Sequence, residues 1–290
     1  LHYPLRRQRQ MCIRDRHNGI RIFVPLCVAF HRIYHRNLHY VVIGGWLPEF
    51  LKNRKSLSKA LKTFDGIYVE TNTMKKALEE RGFANVYVMP NFKDLHILNE
   101  SELIYHHTEP YPLCTFSRVM KEKGIEDAVN AVKRVNEQCG RTVYTLDIYG
   151  QVDSSQTEWF EELKNQFPPY IRYGGLVPFD QSVEALKPYF ALLFPTVFFT
   201  EGIPGTIIDA YAAGVPVISS KWESFSDVID DEITGIGYAF GDFDELCTVL
   251  KNAVTNPQLI QQMKCACIEK AKKYTPEAAM KVLVGEREIL

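Results

Sequence analysis

Short apolar runs and amphipathic segments take turns along almost the whole chain. Residues 20–34 are apolar with His31 and Arg32 interspersed, which predicts a helix. Residues 39–48 (HYVVIGGWLP) read as a buried parallel strand ending in a glycine turn, because a strand covered on both faces is a continuous apolar run. Residues 49–62 have the helical period. Residues 65–70 predict a strand, residues 71–81 a helix capped by Thr71 or Asn72 and stopped by Gly82, and residues 86–89 a strand. From 93 to 110 no period is visible and Pro110 interrupts, so a domain boundary is expected there.

The alternation then restarts. Strands are predicted over 113–118, 144–149, 171–173, 191–195, 215–219 and 234–238. Helices are predicted over 124–137, 155–166, 180–186, 225–229, 242–255 and 257–274. In the first of these Ala128, Val129, Val132 and Val135 share one face. Strand and helix at this rhythm imply an α/β protein with a parallel, doubly wound sheet. Its ligands are expected beyond the carboxyl ends of the strands. A length of 290 residues allows two such domains.

Composition narrows this only slightly. With 46% hydrophobic and 24% charged residues the chain is an ordinary globular one, and a net charge of −1 gives no reason to expect a nucleic-acid partner. No window approaches the ~18 apolar residues of a membrane span. Seven cysteines lack framework spacing, and Cys265-x-Cys267 lacks a second pair for zinc, so reduced thiols in a cytoplasmic protein are expected. Charge is uneven at the start: residues 1–36 hold eight arginines and one acid, Asp15, with no lysine before Lys52. An arm of this kind suits nucleic acid or anionic lipid. The string at residues 6–16 (RRQRQMCIRDR) instead resembles translated adapter sequence. Residues 1–18 are therefore read as a non-native or disordered leader, with the natural N-terminus missing.

Candidate chemistry concentrates in residues 199–214 (FTEGIPGTIIDAYAAG). An acid (Glu201), a turn containing Gly202, Ile203, Pro204 and Gly205, a helix start at Thr206 and a second acid (Asp209) lie between two predicted strands. Free amides and the positive end of the helix dipole favour an anion at such a start. Ionised carboxylates are strong acceptors for sugar hydroxyls. Phosphate beside sugar diols points to a nucleotide sugar. A second stretch, residues 116–126 (FSRVMKEKGIE), delivers Ser117 and Arg118 from a strand and returns Lys123 before a helix. Two cations would offset a diphosphate and the charge that develops on it as it departs. A solvated loop is the plainer reading of that run.

Both stretches resemble glycosyltransferase family 4, the first matching its Glu-x7-Glu signature with Asp209 in the second acidic place, the second its Gly/Ser-Arg-x4-Lys-Gly motif. The resemblance is strong over 111–275. It implies a GT-B fold of two Rossmann-like domains with parallel sheets, the first incomplete: a partial acceptor-side domain over 19–107, a nucleotide-sugar domain over 108–275, and a helix over 276–290 returning to the first. Residues 46–51, 65–72 and 88–92 look most like enzymes that build capsular or exported polysaccharide. Carried over, Arg118 and Lys123 hold the donor diphosphate, Glu201 touches donor-sugar hydroxyls, and Gly202 to Thr206 meet sugar and phosphate. Asp209 would take the ribose diol, with Ser117, Gly150 and Val177 lining the donor pocket and Gly174–Gly175 near the base. The donor would be a UDP-sugar or GDP-sugar and the acceptor a glycan or lipid-linked glycan, with retention, no metal and peripheral membrane contact. Asp209 in place of Glu, and Asp227 in a loop without the family's glycine pair, depart from the pattern. They leave open a catalytically impaired nucleotide-sugar-binding protein.

Overall fold

The computed structural model describes residues 16–285. Residues 1–15, most of the expected leader, lie outside the described residues. The chain divides into two compact units, one ending at Met89 and one beginning at Pro90.

The first unit has three parallel strands in the order β1 (His39–Val41), β2 (Gly66–Val69) and β3 (Val86–Val88). Every position of β2 is buried. Leu47, Leu51, Leu61, Ile67, Met74 and Leu78 form the core around it, with Ile20 and Val24 from the helix Arg16–Tyr34. β1 is shorter than the predicted strand because Gly44 turns the chain at φ 80° and Pro48 opens a short helix, Leu47–Leu51. The predicted helix over 49–62 is broken at Arg54, whose backbone is non-helical (φ −125°, ψ 64°) and whose guanidinium stacks 3.9 Å over Phe50. Thr71 caps the helix Asn72–Glu79, its Oγ1 accepting from the Met74 amide.

The second unit holds six parallel strands in the order β6-β5-β4-β7-β8-β9. They are β4 (Tyr111–Phe116), β5 (Tyr144–Tyr149), β6 (Ile171–Gly175), β7 (Ala191–Phe194), β8 (Val217–Ser220) and β9 (Gly235–Tyr238). Successive residues face opposite layers. Leu113 joins Val129, Val132, Leu146 and Phe160 on one side, while Cys114 joins Leu192, Ile207, Tyr211 and Val217 on the other. Covering on both faces explains why these strands read as unbroken apolar runs. Strand order runs outward in both directions from the β4–β7 pair, so the carboxyl ends of these two strands form the topological switch point of the sheet.

Residues 93–110, in which no period is visible, run with the second unit. Leu98 and Leu103 are buried in its core, and the Leu98 amide donates to Ala212 O at 2.9 Å. This segment is irregular apart from one 3-10 turn, Glu100–Glu102, and an irregular chain packed against a core leaves no repeat to read. The predicted helix over 257–274 comes as Pro257–Gln262, Lys264–Ala271 and a 3-10 turn, Lys272–Tyr274. The last helix is Pro276–Gly285. No described helix is long and apolar enough to cross a membrane. Cys27, Cys114, Cys139, Cys247, Cys265 and Cys267 are free thiols.

Candidate functional site

Beyond β4 the chain does not leave the sheet at once. Val119 forms a parallel bridge with Val152, donating to Gln151 O at 2.9 Å and accepting from the Asp153 amide at 3.0 Å. Gly150 makes this close pairing possible: at φ +132° it presents hydrogen where a Cβ would stand 1.8 Å from Ser117 O. A 3-10 turn, Lys121–Lys123, then reverses the chain into Gly124, whose φ of +68° opens the helix Ile125–Cys139. A Cβ at Gly124 would stand 1.8 Å from Pro195 O. The amide of Val197 donates to Glu122 O at 3.0 Å. The loop after β4 is thereby laid against the loop after β7.

That contact brings Lys123 onto Glu201. The ammonium donates to Glu201 Oε1 in a short hydrogen bond, and Thr196 Oγ1 donates to the same oxygen at 3.2 Å. The two side chains are only 17% and 15% exposed, and the rings of Phe194 and Phe198 lie 5.4 and 5.2 Å from the ammonium. Arg118, expected on the same phosphate as Lys123, points elsewhere. It is 43% exposed and 3.7 Å from Asp153 Oδ2, while Ser117 Oγ donates to Arg118 O at 3.3 Å. Hydrogen bonds from Ser155 hold the Asp153 carboxyl below its usual range, with Arg118 adding to the effect.

Gly202, Ile203 and Pro204 are buried, and Gly205 and Thr206 are half-buried at the start of the helix Gly205–Ala212. Asp209 differs most from expectation. It is 2% exposed and does not lie open to a ribose. Lys93 Nζ donates to its Oδ1 at 2.7 Å and its Oδ2 at 2.5 Å, and Ser182 Oγ donates to Oδ1 at 2.9 Å. Burial pushes the Asp209 carboxyl above its ordinary value, while Lys93 and Ser182 pull against that shift. Sequence reasoning missed Lys93, which falls in the segment without a period and carries no motif. Asn91 Nδ2 donates to Ile203 O at 2.9 Å, tying the same segment to the glycine turn.

On the far side, the Gly150 amide donates to Gly175 O at 2.9 Å, joining the ends of β5 and β6. Val177 is half-buried in the loop that follows, between the exposed Leu176 and Phe179. Beneath this loop Arg172 holds Asp147 through two hydrogen bonds of 2.5 and 2.7 Å, and Tyr189 OH donates to Asp147 Oδ2 at 2.5 Å. Tyr149 OH and Tyr189 OH are 2.8 Å apart. Desolvation, with Asp147 beside it, drives the Tyr189 hydroxyl far above its usual range, so it stays a donor.

Everything from β4 to the helix Phe243–Thr255 coincides with one family model. Glycosyl transferases group 1 matches residues 111–256, which is 146 of the 290 residues. The chain belongs to that family. Amylovoran biosynthesis glycosyltransferase AmsK of Erwinia amylovora is 23% identical over 146 residues, 49% of this chain and 35% of that protein. Glycogen synthase of Mycobacterium tuberculosis is 24% identical over 157 residues, 53% of this chain and 36% of that protein. The chain thus spans about a third of the length of these curated relatives. Anabaena HepE, solved in complex with UDP, is similar with a TM-score of 0.75 at 14% identity, over 92% of this chain and 76% of that one. The pneumococcal O-GlcNAc transferase GtfA, solved with UDP and GlcNAc, gives 0.67 at 17%, over 87% and 52%. These likenesses give the fold as GT-B, in line with the two parallel sheets.

Proposed function

We propose that the chain carries the donor site of a retaining glycosyltransferase. It moves a sugar from a UDP- or GDP-sugar to a glycan or lipid-linked acceptor in polysaccharide biosynthesis. One observation carries this reading: at the β4–β7 switch point the Gly124–Pro195 contact goes with a paired cation and carboxylate, Lys123 and Glu201, the latter four residues before the helix Gly205–Ala212. The arrangement has a place for a diphosphate and a place for sugar hydroxyls, side by side. The UDP bound by HepE and the amylovoran named for AmsK support this reading.

In this reading Lys123 leaves Glu201 for the diphosphate, and Arg118 swings from Asp153 to join it. Glu201, released, accepts hydrogen bonds from donor-sugar hydroxyls. The two cations stabilise the charge that builds on the departing diphosphate. That diphosphate takes the proton of the incoming hydroxyl, so no side-chain base is required. Ser117, Gly150 and Val177 line the nucleotide end. Exposed Ile22, Phe23, Leu26 and Phe30 lie on the helix that also carries Arg21 and Arg32, a combination suited to peripheral contact with an anionic membrane on the cytoplasmic side. The cover that Lys93 places over Asp209 favours a second reading, a nucleotide-sugar-binding protein without turnover; donor hydrolysis separates the two.

The test is a thermal-shift screen of UDP, GDP, ADP and their common sugars against the full chain. A ligand that binds the native state raises its melting temperature by mass action. A shift selective for one nucleoside diphosphate is expected. No shift from a folded sample with any of them would refute the proposal.

A further inference from the structure

Three cations reach the carboxyl ends of β4 and β7 or the helix beside them, and each meets an acid: Arg118 meets Asp153, Lys123 meets Glu201, and Lys93 meets Asp209. The third pair has no part in the mechanism above. Lys93 is held firmly. Its amide donates to Tyr274 O at 3.0 Å, and Asn91, two residues earlier, is tied to Ile203 O. Its Cε lies 3.4 Å from the point where a Cβ on Gly205 would stand, which puts the ammonium beside the first turn of the helix Gly205–Ala212.

A cation is out of place there, because a helix start already carries positive partial charge. Asp209, one turn further along, compensates it. The compensation is lopsided in exposure: the Lys93 side chain is 34% exposed and that of Asp209 only 3%. What solvent reaches is the Lys93 side chain and not the carboxylate. Two of the three ammonium N–H bonds go to Asp209, leaving a third. In the same turn Thr206 Oγ1 is buried without a hydrogen-bond partner. Aspartate is one methylene shorter than glutamate, so the carboxylate stays within the wall and leaves room for the amine in front of it.

We propose that Lys93 is a donor-binding residue whose ammonium takes a phosphate oxygen of the nucleoside diphosphate, and that Asp209 anchors Lys93 instead of receiving the ribose diol. This rests on the nucleotide-sugar reading of the site. A phosphate placed at the first turn meets the helix start and Lys93 together, and the like-sign crowding that Asp209 offsets in the free protein becomes attraction for the ligand.

The experiment measures binding of UDP and uridine, and of GDP and guanosine, to the full chain. Calorimetry serves for the diphosphates and ligand-observed NMR for the nucleosides. The variants are Lys93→Met, Lys93→Arg and Asp209→Asn. Lys93→Met is expected to weaken the preferred diphosphate at least tenfold while nucleoside affinity stays within twofold, and Lys93→Arg to restore most of the loss. Asp209→Asn is expected to leave nucleoside affinity within twofold, since Asp209 does not touch ribose. Unchanged diphosphate affinity in Lys93→Met overturns the proposal. Equal losses for diphosphate and nucleoside also overturn it, as does a nucleoside loss in Asp209→Asn. If Lys93→Met does not fold, Lys93→Gln carries the same comparison. Wild-type protein that binds neither UDP nor GDP would bring down the nucleotide-sugar reading itself, a different result from a Lys93 that proves inert.

Discussion

Glu201→Gln keeps the shape of the side chain and removes its charge. In the free protein that charge holds Lys123, at 17% and 15% side-chain exposure, between the rings of Phe194 and Phe198. Exposed ion pairs contribute ~0.2–1 kcal/mol, whereas breaking a fully buried one costs ~3–5 kcal/mol. This pair lies between those limits, and the glutamine carbonyl still accepts one hydrogen bond, so a loss of about 1–2 kcal/mol is expected. For a unit of this size that lowers the melting temperature by roughly 2–8 °C. The same 1–2 kcal/mol opposes a diphosphate competing for Lys123. Without it, affinity for the bare nucleoside diphosphate should rise by about 5- to 30-fold. Sugar transfer or donor hydrolysis should move the other way. A charged hydrogen bond to a sugar hydroxyl contributes ~1.5–3 kcal/mol, so turnover falls by roughly 10- to 150-fold. Calorimetry with UDP and GDP, a melting curve and a diphosphate-release assay read all three. A variant that is less stable and also binds the diphosphate more weakly would refute the reasoning, because Lys123 would then not be the group shared between Glu201 and the ligand.

Gly124→Ala introduces a Cβ 1.8 Å from Pro195 O at a residue with φ +68°. It should cost about 2–5 kcal/mol in urea unfolding, and a loss below ~1 kcal/mol would show that the two loops are not locked together there. Lys264 is 1% exposed, with its ammonium 3.3 and 3.4 Å from the carbonyl oxygens of Tyr189 and Gly214, and burial lowers its pKa to about 8. The folded value is depressed, so the stability it contributes is present above the unfolded value of ~10.4 and is lost, by about 3 kcal/mol, as pH falls through 8. The stability of Lys264→Met relative to wild type should therefore be about 3 kcal/mol more favourable at pH 7 than at pH 10.5; a difference independent of pH would count against a buried ammonium.

The α/β class and most strand positions were legible for a physical reason. Strands such as β7, covered on both faces, must be apolar at every residue, and the turns after them need glycine where backbones meet. Arg118, Lys123, Glu201 and Asp209 could be named because spacing along the chain survives without coordinates. Which groups would touch was a different matter. Lys93 lies 116 residues from Asp209 in an irregular stretch, and no local pattern marks a lysine whose only distinction is its partner. The helix break at Arg54 was invisible because the apolar spacing continues across it while the backbone does not. The bridge between Val119 and Val152 lies beyond the strands proper, where two valines 33 positions apart give no signal.

That bridge has an evolutionary consequence. Between Ser117 and Gly124 the backbone is clamped by Val152, by the Val197 amide on Glu122, and by Pro195 against Gly124. An inserted or deleted residue has no slack to take it up, so the number of residues there is a fixed dimension even where their identities drift. The stretch after β6 is the opposite, with Leu176 and Phe179 in solvent. Its length can change without disturbing a packed neighbour. One loop at this end of the sheet is thus a ruler and the other an adjustable jaw, and descendants should differ in loop length after β6 long before they differ in the count from Ser117 to Gly124.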